Sequence, residues 1–275
     1  MENNLLEQTK QYCHQLGFQP SKFRGQNFLV GEKIFDQIIE LAGLSSDGQI
    51  LEVGAGFGFL TEKIACQANR VLAVELDHSL ADFLSAKYRK QSKISILQQD
   101  ILAPVTKELL QTWLGKNKNY KIVANLPYSI TGHFLRQFLT SETKPSEMIL
   151  MLQKEVAERI TAKPPQMSKL AVLVQFYGQP EILFPVSKDN FYPKPKVDSA
   201  VIKIKNIQKP SGIDEKKFFD LVQAGFSSPR KYLLSNLANA NVAPLADLKE
   251  KFIQLGFSPK IRAQELSVED WKRLL

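Results

Sequence analysis

The sequence predicts an α/β fold followed by a small C-terminal α-helical domain, and three features of the 275-residue chain predict it. Residues 50–61 pass from a short apolar strand through a glycine-rich turn into a segment with helical spacing. Residues 71–77 and 94–100 are apolar runs that each end in an acidic residue. Beyond residue 207, apolar patterns typical of helices occur around residues 218–224, 232–238, 245–255 and 268–275. Strands that alternate with helices in this way are typical of a Rossmann-like, mostly parallel sheet.

The other elements are assigned from the same periodicities. We expect helices over residues 1–20 (ending near Gly17), 31–44 and 154–160, and strands over residues 121–128, 148–153 and 197–205. Residues 170–178 are apolar and form either a helix or a strand. The late strands should extend the sheet near one edge in the antiparallel direction.

Composition and charge limit the class of protein. The hydrophobic content of 44% and the charged content of 23% are those of a globular protein. Cys13 and Cys66 are far apart and lack metal-ligand spacing, so we expect neither a metal site nor a disulfide. The sequence has no signal-peptide pattern and no long apolar run, and we therefore expect a cytoplasmic protein without membrane contact. The formal net charge of +8 favours a polyanionic partner.

The glycine-rich turn is the first candidate for a ligand site. Gly54, Gly56 and Gly58 leave no side chain in the way of a ligand, and the N–H groups of the following helix point toward the end of the strand. A dinucleotide fingerprint needs glycine where this chain has Phe59, and the Gly-Lys-Ser/Thr of a phosphate-binding loop is absent. The turn suits S-adenosylmethionine, which has no pyrophosphate. The alternative is an ordinary strand-to-helix connection without a ligand.

Two acidic residues follow the next strands. Glu75 lies 21 residues after Gly54 (75 − 54), the offset at which a carboxylate reaches the ribose hydroxyls of a nucleotide ligand in doubly wound folds. The alternative for Glu75 is a solvated turn residue. Asp100 could accept a hydrogen bond from the exocyclic amine of adenine, or it could cap the next segment.

The end of the fourth strand is the candidate catalytic element. Pro127 keeps Leu126 out of the helical region, so the Asn125 amide and the Leu126 carbonyl can face one pocket beside Tyr128. Such a pocket suits a planar amine such as N6 of adenine, because acceptors can hold its hydrogens while Tyr128 stacks on the base. The alternative is that these residues form an ordinary turn. They follow a strand of the predicted sheet, however, and strand ends are where a substrate should lie in this class of fold.

Seven blocks of sequence, in their order and spacing, resemble the ribosomal RNA adenine dimethyltransferases, and most closely the bacterial small-subunit type. The resemblance extends from about residue 10 to the C-terminus. The blocks are Gln26–Leu29, Glu52–Thr61, Val74–Asp77, Gln99–Asp100, Asn125–Tyr128, Gln153–Arg159 and Phe191–Ala200.

This resemblance implies a Rossmann-like S-adenosylmethionine-dependent methyltransferase fold and a role for single residues. Asn27 and Leu29 would close over S-adenosylmethionine, with Gly54 and Gly56 in the glycine turn, Gly54 at its amino-acid moiety. Glu75 would bind its ribose and Asp100 its adenine, and Asn125 would stand between cofactor and target amine. Phe191 would stack on the target base opposite Tyr128; without the resemblance, a core aromatic would be expected. The implied catalytic residues are Asn125, Leu126, Pro127, Tyr128 and Phe191, and no metal is implied.

Basic residues are concentrated toward the C-terminus. Residues 184–275 contain 16 Lys or Arg and 10 Asp or Glu, a net charge of +6. We expect the RNA contacts to include Lys22, Arg24, Lys194, Lys196, Arg230 and Lys231. The alternative is that these cations are solvated faces without a bound partner.

The resemblance also implies the reaction and its substrate. The expected activity is dimethylation at N6 of two adjacent adenines in the 3′-terminal loop of small-subunit (16S) ribosomal RNA, on an immature 30S particle during ribosome biogenesis. A large-subunit methylase of the macrolide-resistance type is an alternative that Leu126 and the Asp198-Ser199-Ala200 block argue against. A non-catalytic RNA-binding assembly factor is another, and a DNA adenine methylase fits less well.

We expect two domains and a monomer. Residues 1–207 would be the catalytic domain that binds S-adenosylmethionine, with residues 1–30 as an N-terminal arm and cofactor lid. Residues 208–275 would be a small helical domain that binds RNA, because the composition changes near Gln208–Gly212.

Overall fold

The structure is a computed structural model that describes residues 5–21 and 25–275. Its strands are β1 (Phe28–Leu29), β2 (Gln49–Val53), β3 (Arg70–Glu75), β4 (Ile94–Gln98), β5 (Lys121–Asn125), β6 (Glu147–Gln153), β7 (Gln179–Val186), β8 (Phe191–Tyr192) and β9 (Ser199–Lys205). Short 3₁₀ helices cover Tyr128–Ile130, Lys188–Asn190 and Ala263–Glu265.

The α-helices complete the list of elements. They are α1 (Leu5–Gln15), α2 (Glu32–Ala42), α3 (Phe59–Gln67), α4 (His78–Tyr88), α5 (Pro104–Leu114), α6 (Thr131–Thr140), α7 (Lys154–Thr161), α8 (Lys169–Tyr177), α9 (Glu215–Gly225), α10 (Leu233–Asn239), α11 (Leu245–Leu255) and α12 (Val268–Leu274). No helix of the described residues is long and apolar enough to cross a membrane.

The main sheet confirms the predicted α/β class. Within the described residues it has seven strands, in the order β4-β3-β2-β5-β6-β9-β7. Five strands, β4, β3, β2, β5 and β6, pair in parallel in that order. Helices that connect parallel strands pack on the sheet, and the side chains of these strands therefore form the core. β9 pairs antiparallel with β6, with Met148 opposite Ile204 and Gln153 opposite Ser199. The antiparallel extension expected from residues 197–205 is therefore confirmed.

The sequence patterns did not predict strand β7 or the small sheet formed by β1 and β8. β7 contains Pro180 and Pro185, which interrupt a strand pattern, and it lies at the edge of the sheet, where proline is tolerated. The small sheet pairs β1 with β8, placing Phe28 opposite Tyr192 and Leu29 opposite Phe191. A pairing between residues so distant in sequence has no local signal.

The helix before the glycine turn packs as its sequence predicts. In α2 the buried residues are Phe35, Ile38, Ile39 and Ala42, which recur at helical spacing. The helix ends at Gly43, which is left-handed with φ 52° and ψ 56°. The buried face of α2 belongs to the same core as Ile50 of β2.

The chain forms two compact units. The first contains the described residues up to Ala157 together with Glu181–Ile207, and the second contains Glu158–Pro180 together with Gln208–Leu275. The expected division after residue 207 stays a prediction; the structure adds that α8 packs with the C-terminal helices. Phe176 of α8 stacks on Phe218 of α9, with ring centroids 4.2 Å apart. This apolar contact explains why a segment far away in sequence joins the helical unit.

Candidate active site

A cleft opens in the first unit at the carboxyl ends of β2, β3 and β5. Its volume, including the solvent at its mouth, is about 510 Å³. Of the residues predicted for the site, the lining contains Asn27, Gly54, Gly56, Glu75 and the turn Asn125–Tyr128. The carboxyl ends of parallel strands are where ligands bind in open α/β sheets. The structure thus brings four separate sequence blocks to one place.

The glycine turn is shaped by backbone conformations that only glycine adopts readily. Gly54 has φ 73° and Gly56 has φ 57°. A Cβ on Gly54 would lie 3.3 Å from the Asn125 carbonyl oxygen, and a Cβ on Gly56 would lie 3.1 Å from the ring of Phe28. These two glycines therefore keep space open between the turn, the end of β5 and the N-terminal segment.

Glu75 is held in place by the backbone around it. The Gly56 N–H donates to Oε2 and the Asp77 N–H donates to Oε1, each at 2.9 Å. The residue is 7% exposed, and its burial raises the pKa of the carboxyl group, while the two N–H groups oppose that rise. A carboxylate has further lone pairs beyond these two bonds. Glu75 is therefore an oriented acceptor facing the cleft.

The turn after β5 presents polar groups to the same cleft. The Leu126 N–H donates to the Met151 carbonyl at 3.2 Å, which continues the pairing of β5 with β6 beyond the last residue of β5. The Asn125 Nδ2 donates to the Asn27 carbonyl at 3.4 Å. Within the described residues no donor contacts Asn125 Oδ1, so this oxygen remains an available acceptor. The orientation suits recognition of an amine.

Tyr128 is half-buried and bonded at its hydroxyl. Its Oη lies 2.8 Å from Oγ of Ser199, the first residue of β9, which is 0% exposed. Burial raises the pKa of Tyr128, and the contact with Ser199 opposes that rise. The phenol is therefore neutral at physiological pH.

Three predicted residues lie outside this cleft. Leu29 lines an adjoining recess and pairs with Phe191 across the small sheet. Phe191 is 4% exposed and belongs to the core, so its ring has almost no accessible face here; a stacking role stays a prediction. Asp100 is exposed and accepts from the Leu102 N–H at 2.9 Å. Its role at adenine also stays a prediction.

Several residues that contact the site were not predicted from the sequence. Gln26, Phe28 and Leu80 line the cleft. The first two fall inside the Gln26–Leu29 block, which was a usable signal, whereas Leu80 of α4 carries none. Glu52 is 1% exposed, and its Oε2 has no hydrogen-bond partner among the described residues. It lines the adjoining recess beneath the glycine turn, and burial raises its pKa to about 8.

The candidate RNA contacts are only partly described. Lys22 and Arg24 lie outside the described residues. Lys194 forms an ion pair with Asp189. Three others are exposed and have no ion pair within the described part of the chain: Lys196, Arg230 and Lys231. The last two precede α10, which begins at Leu233.

With a mostly parallel sheet and a glycine-lined cleft at its strand ends, the chain has the Rossmann-like fold of the S-adenosylmethionine-dependent methyltransferases. A family model described as ribosomal RNA adenine dimethylase matches residues 17–275, and the chain belongs to that family.

One relative and two solved structures are similar to this chain along most of its length. The chain is 38% identical to a ribosomal RNA small subunit methyltransferase A of Dehalococcoides mccartyi over 273 residues, which cover 98% of this chain and 92% of the relative. Among solved structures, a dimethyladenosine transferase from Plasmodium falciparum is similar with a TM-score of 0.76 and 23% identity, over 90% of this chain and 96% of that one. The 23S rRNA methyltransferase ErmE is similar with a TM-score of 0.72 and 24% identity, over 90% of this chain and 97% of that one. These two likenesses show the fold alone.

Proposed function

We propose that this protein transfers methyl groups from S-adenosylmethionine to N6 of two adjacent adenines in the 3′-terminal loop of small-subunit ribosomal RNA, two to each base. The observation that carries the proposal is the position of Asn125. Its amide nitrogen is engaged by the Asn27 carbonyl, which leaves its oxygen available in the cleft that also contains Glu75 and the glycine turn. The family and the small-subunit name of the relative support this substrate.

The residues present fit S-adenosylmethionine. The space around Gly54 and Gly56 is a cradle that a Cβ would fill, which suits close backbone contact with the amino-acid moiety. Glu75 has acceptor capacity for two ribose hydroxyls. When bound, S-adenosylmethionine supplies an electrophilic methyl group on a sulfonium. We assign Asn27, Leu29 and Asp100 to the same ligand on the resemblance of their blocks.

The chain itself contributes mainly positioning. Asn125 Oδ1 and the Leu126 carbonyl would accept the two hydrogens of the adenine amine and point its lone pair toward the methyl group. Tyr128 would stack on the base, and Phe191 would do so from the other side if its ring becomes accessible. The amine proton can leave as the new bond forms, so no strong base is required. Neutral acceptors suit a reaction in which the positive charge of the sulfonium is lost.

The surroundings of the reaction are part of the proposal. The substrate is an immature 30S particle in the cytoplasm, and the protein acts as a monomer. Lys196, Arg230 and Lys231 are exposed cations that can contact the RNA backbone, and Lys194 can do so if it leaves Asp189. We assign Lys22 and Arg24 to RNA on sequence alone. Residues 1–207 are the catalytic domain and residues 208–275 the RNA-binding domain in this proposal.

The test is methyl transfer from labelled S-adenosylmethionine to small subunits that lack the modification, with the product nucleosides mapped along the RNA. The expected result is N6,N6-dimethyladenine in the 3′-terminal loop, with loss of transfer in Asn125→Ala. Asn239→Ala, an exposed asparagine of α10, is the matched control and should keep full activity. Label in large-subunit RNA would overturn the substrate. Binding to subunits without any transfer would instead support an assembly factor.

A further inference from the structure

Ser199 lies outside the lining of the cleft but contacts one of the residues that line it. Its Oγ is 2.8 Å from the hydroxyl of Tyr128, 71 residues earlier in the chain. Ser199 is 0% exposed, so water cannot replace Tyr128 as the partner of its hydroxyl. An unpaired buried hydroxyl is costly, which means that Ser199 retains the Tyr128 hydroxyl as its partner.

Ser199 is itself fixed on both sides. It begins β9 opposite Gln153, the last residue of β6. The preceding residue, Asp198, accepts from the Lys154 N–H through its carbonyl at 3.0 Å and from the Lys188 N–H through Oδ1 at 2.9 Å. The serine hydroxyl is therefore attached to the hydrogen-bonded pairing of β6 with β9, and not to a loop.

The position of this contact on the ring matters. Tyr128 begins a short 3₁₀ helix after Pro127, and its backbone is part of the turn that carries Asn125. A phenol attached only at Cβ can tilt and flip about its two side-chain torsions. A bond at the hydroxyl, at the opposite end of the ring, restricts the tilt of the ring plane. A base stacked on that ring takes its orientation from it.

We propose that Ser199 is a positioning residue that sets the ring plane of Tyr128 for the target adenine. This inference rests on the proposed function, in which Tyr128 stacks on that base. The alignment should matter most in the second transfer, because an amine that already carries one methyl group must present its lone pair again in a more crowded cleft. Loss of the Ser199 hydroxyl should therefore slow the second methylation more than the first.

The test compares Ser199→Ala, Tyr128→Phe and the double variant, with Ser146→Ala as control. Ser146 also donates from a half-buried hydroxyl, to the Tyr120 carbonyl at 3.1 Å, but away from the cleft. We expect Ser199→Ala and Tyr128→Phe each to lower kcat about tenfold with little change in KM, and to raise the monomethyl share of the product. The double variant should match the single ones, since both remove one hydrogen bond. Ser199→Thr, which keeps the hydroxyl, should recover activity relative to Ser199→Ala, and Ser146→Ala should resemble the wild type.

A second readout needs no RNA. In protein with ¹³C-labelled tyrosine rings, Tyr128→Phe assigns the Tyr128 signals, and Ser199→Ala should broaden or average them through faster ring motion. Unchanged ring signals, additive effects in the double variant, or an unaltered product ratio would each overturn the inference. A wild-type protein that methylates no adenine would overturn the proposed function instead, and the ring signals would still decide whether Ser199 holds Tyr128.

Discussion

Replacing Glu52 with glutamine should make the protein more stable at neutral and alkaline pH. Glu52 lies on β2 beneath the glycine turn, 1% exposed, and its Oε2 has no partner among the described residues. Burial raises its pKa from 4.5 to about 8, because a charged carboxylate loses its hydration there. Glutamine has the same shape and does not ionise, so the substitution removes the titration while keeping the packing.

The size of the effect follows from proton binding. Between pH 4.5 and about 8 the folded chain holds a proton on Glu52 that the unfolded chain has released. Wild-type stability therefore falls as pH rises through that interval. At about 1.4 kcal/mol per pKa unit, the loss is about 3.5 kcal/mol at pH 7 and about 5 kcal/mol above the folded-state value. Glu52→Gln should escape this loss and differ little from wild type near pH 5.

The assay is urea unfolding of both proteins at about pH 5.5, 7 and 8.5, with hydrogen exchange of the β2 and β5 peptides to follow the first unit. The stability gap should widen with pH. Glu62→Gln is the matched control, because Glu62 is a largely exposed carboxylate on α3. Parallel pH curves for wild type and Glu52→Gln would refute the reasoning, since they would mean that Glu52 titrates alike in both states.

Three other predictions concern the cofactor, the RNA and the helical unit. Glu75→Gln should weaken S-adenosylmethionine binding at least about tenfold by calorimetry, because an amide cannot accept the Gly56 and Asp77 N–H groups on both sides. Lys196→Ala should reduce the slope of the logarithm of the RNA-binding constant against the logarithm of salt concentration by about 1, measured in titrations at several salt concentrations. Gly225→Ala should destabilise the second unit by about 1–3 kcal/mol in urea unfolding, because the new Cβ would meet Trp271 and lie 2.8 Å from Leu233.

Each of these has an outcome that would contradict it. An unchanged dissociation constant in Glu75→Gln would remove Glu75 from the cofactor site. Lys216→Ala is the control for Lys196, since Lys216 is already paired with Asp220 at 2.8 Å; equal salt slopes in the two variants would mean that Lys196 does not contact phosphate. Full stability of Gly225→Ala would show that Trp271 can move without cost.

The local patterns of the sequence were sufficient for the elements that build the cleft. Buried parallel strands need nearly continuous apolar residues, so the apolar runs before Gly54 and before Asn125 could be predicted as strands. Glycines at alternate positions permit the positive-φ conformations of a tight turn, and the proline after Leu126 keeps that residue out of the helical region, so the turns at the strand ends could be predicted. Once these were strands of one sheet, Gly54, Glu75 and Asn125 had to meet at its carboxyl edge.

The tertiary structure decided what depends on contacts between distant residues. No local pattern shows that Leu29 pairs with Phe191, that Ser199 bonds to Tyr128 or that Phe176 stacks on Phe218. Burial also depends on residues distant in sequence. An aromatic residue such as Phe191 suits either a core or a stacking surface, and its packing neighbours leave it only 4% exposed. The sequence by itself thus determined the type and order of the elements, through the backbone preferences of glycine and proline and through hydrophobic periodicity. Packing decided which side chains remain in the cleft and which are removed from water.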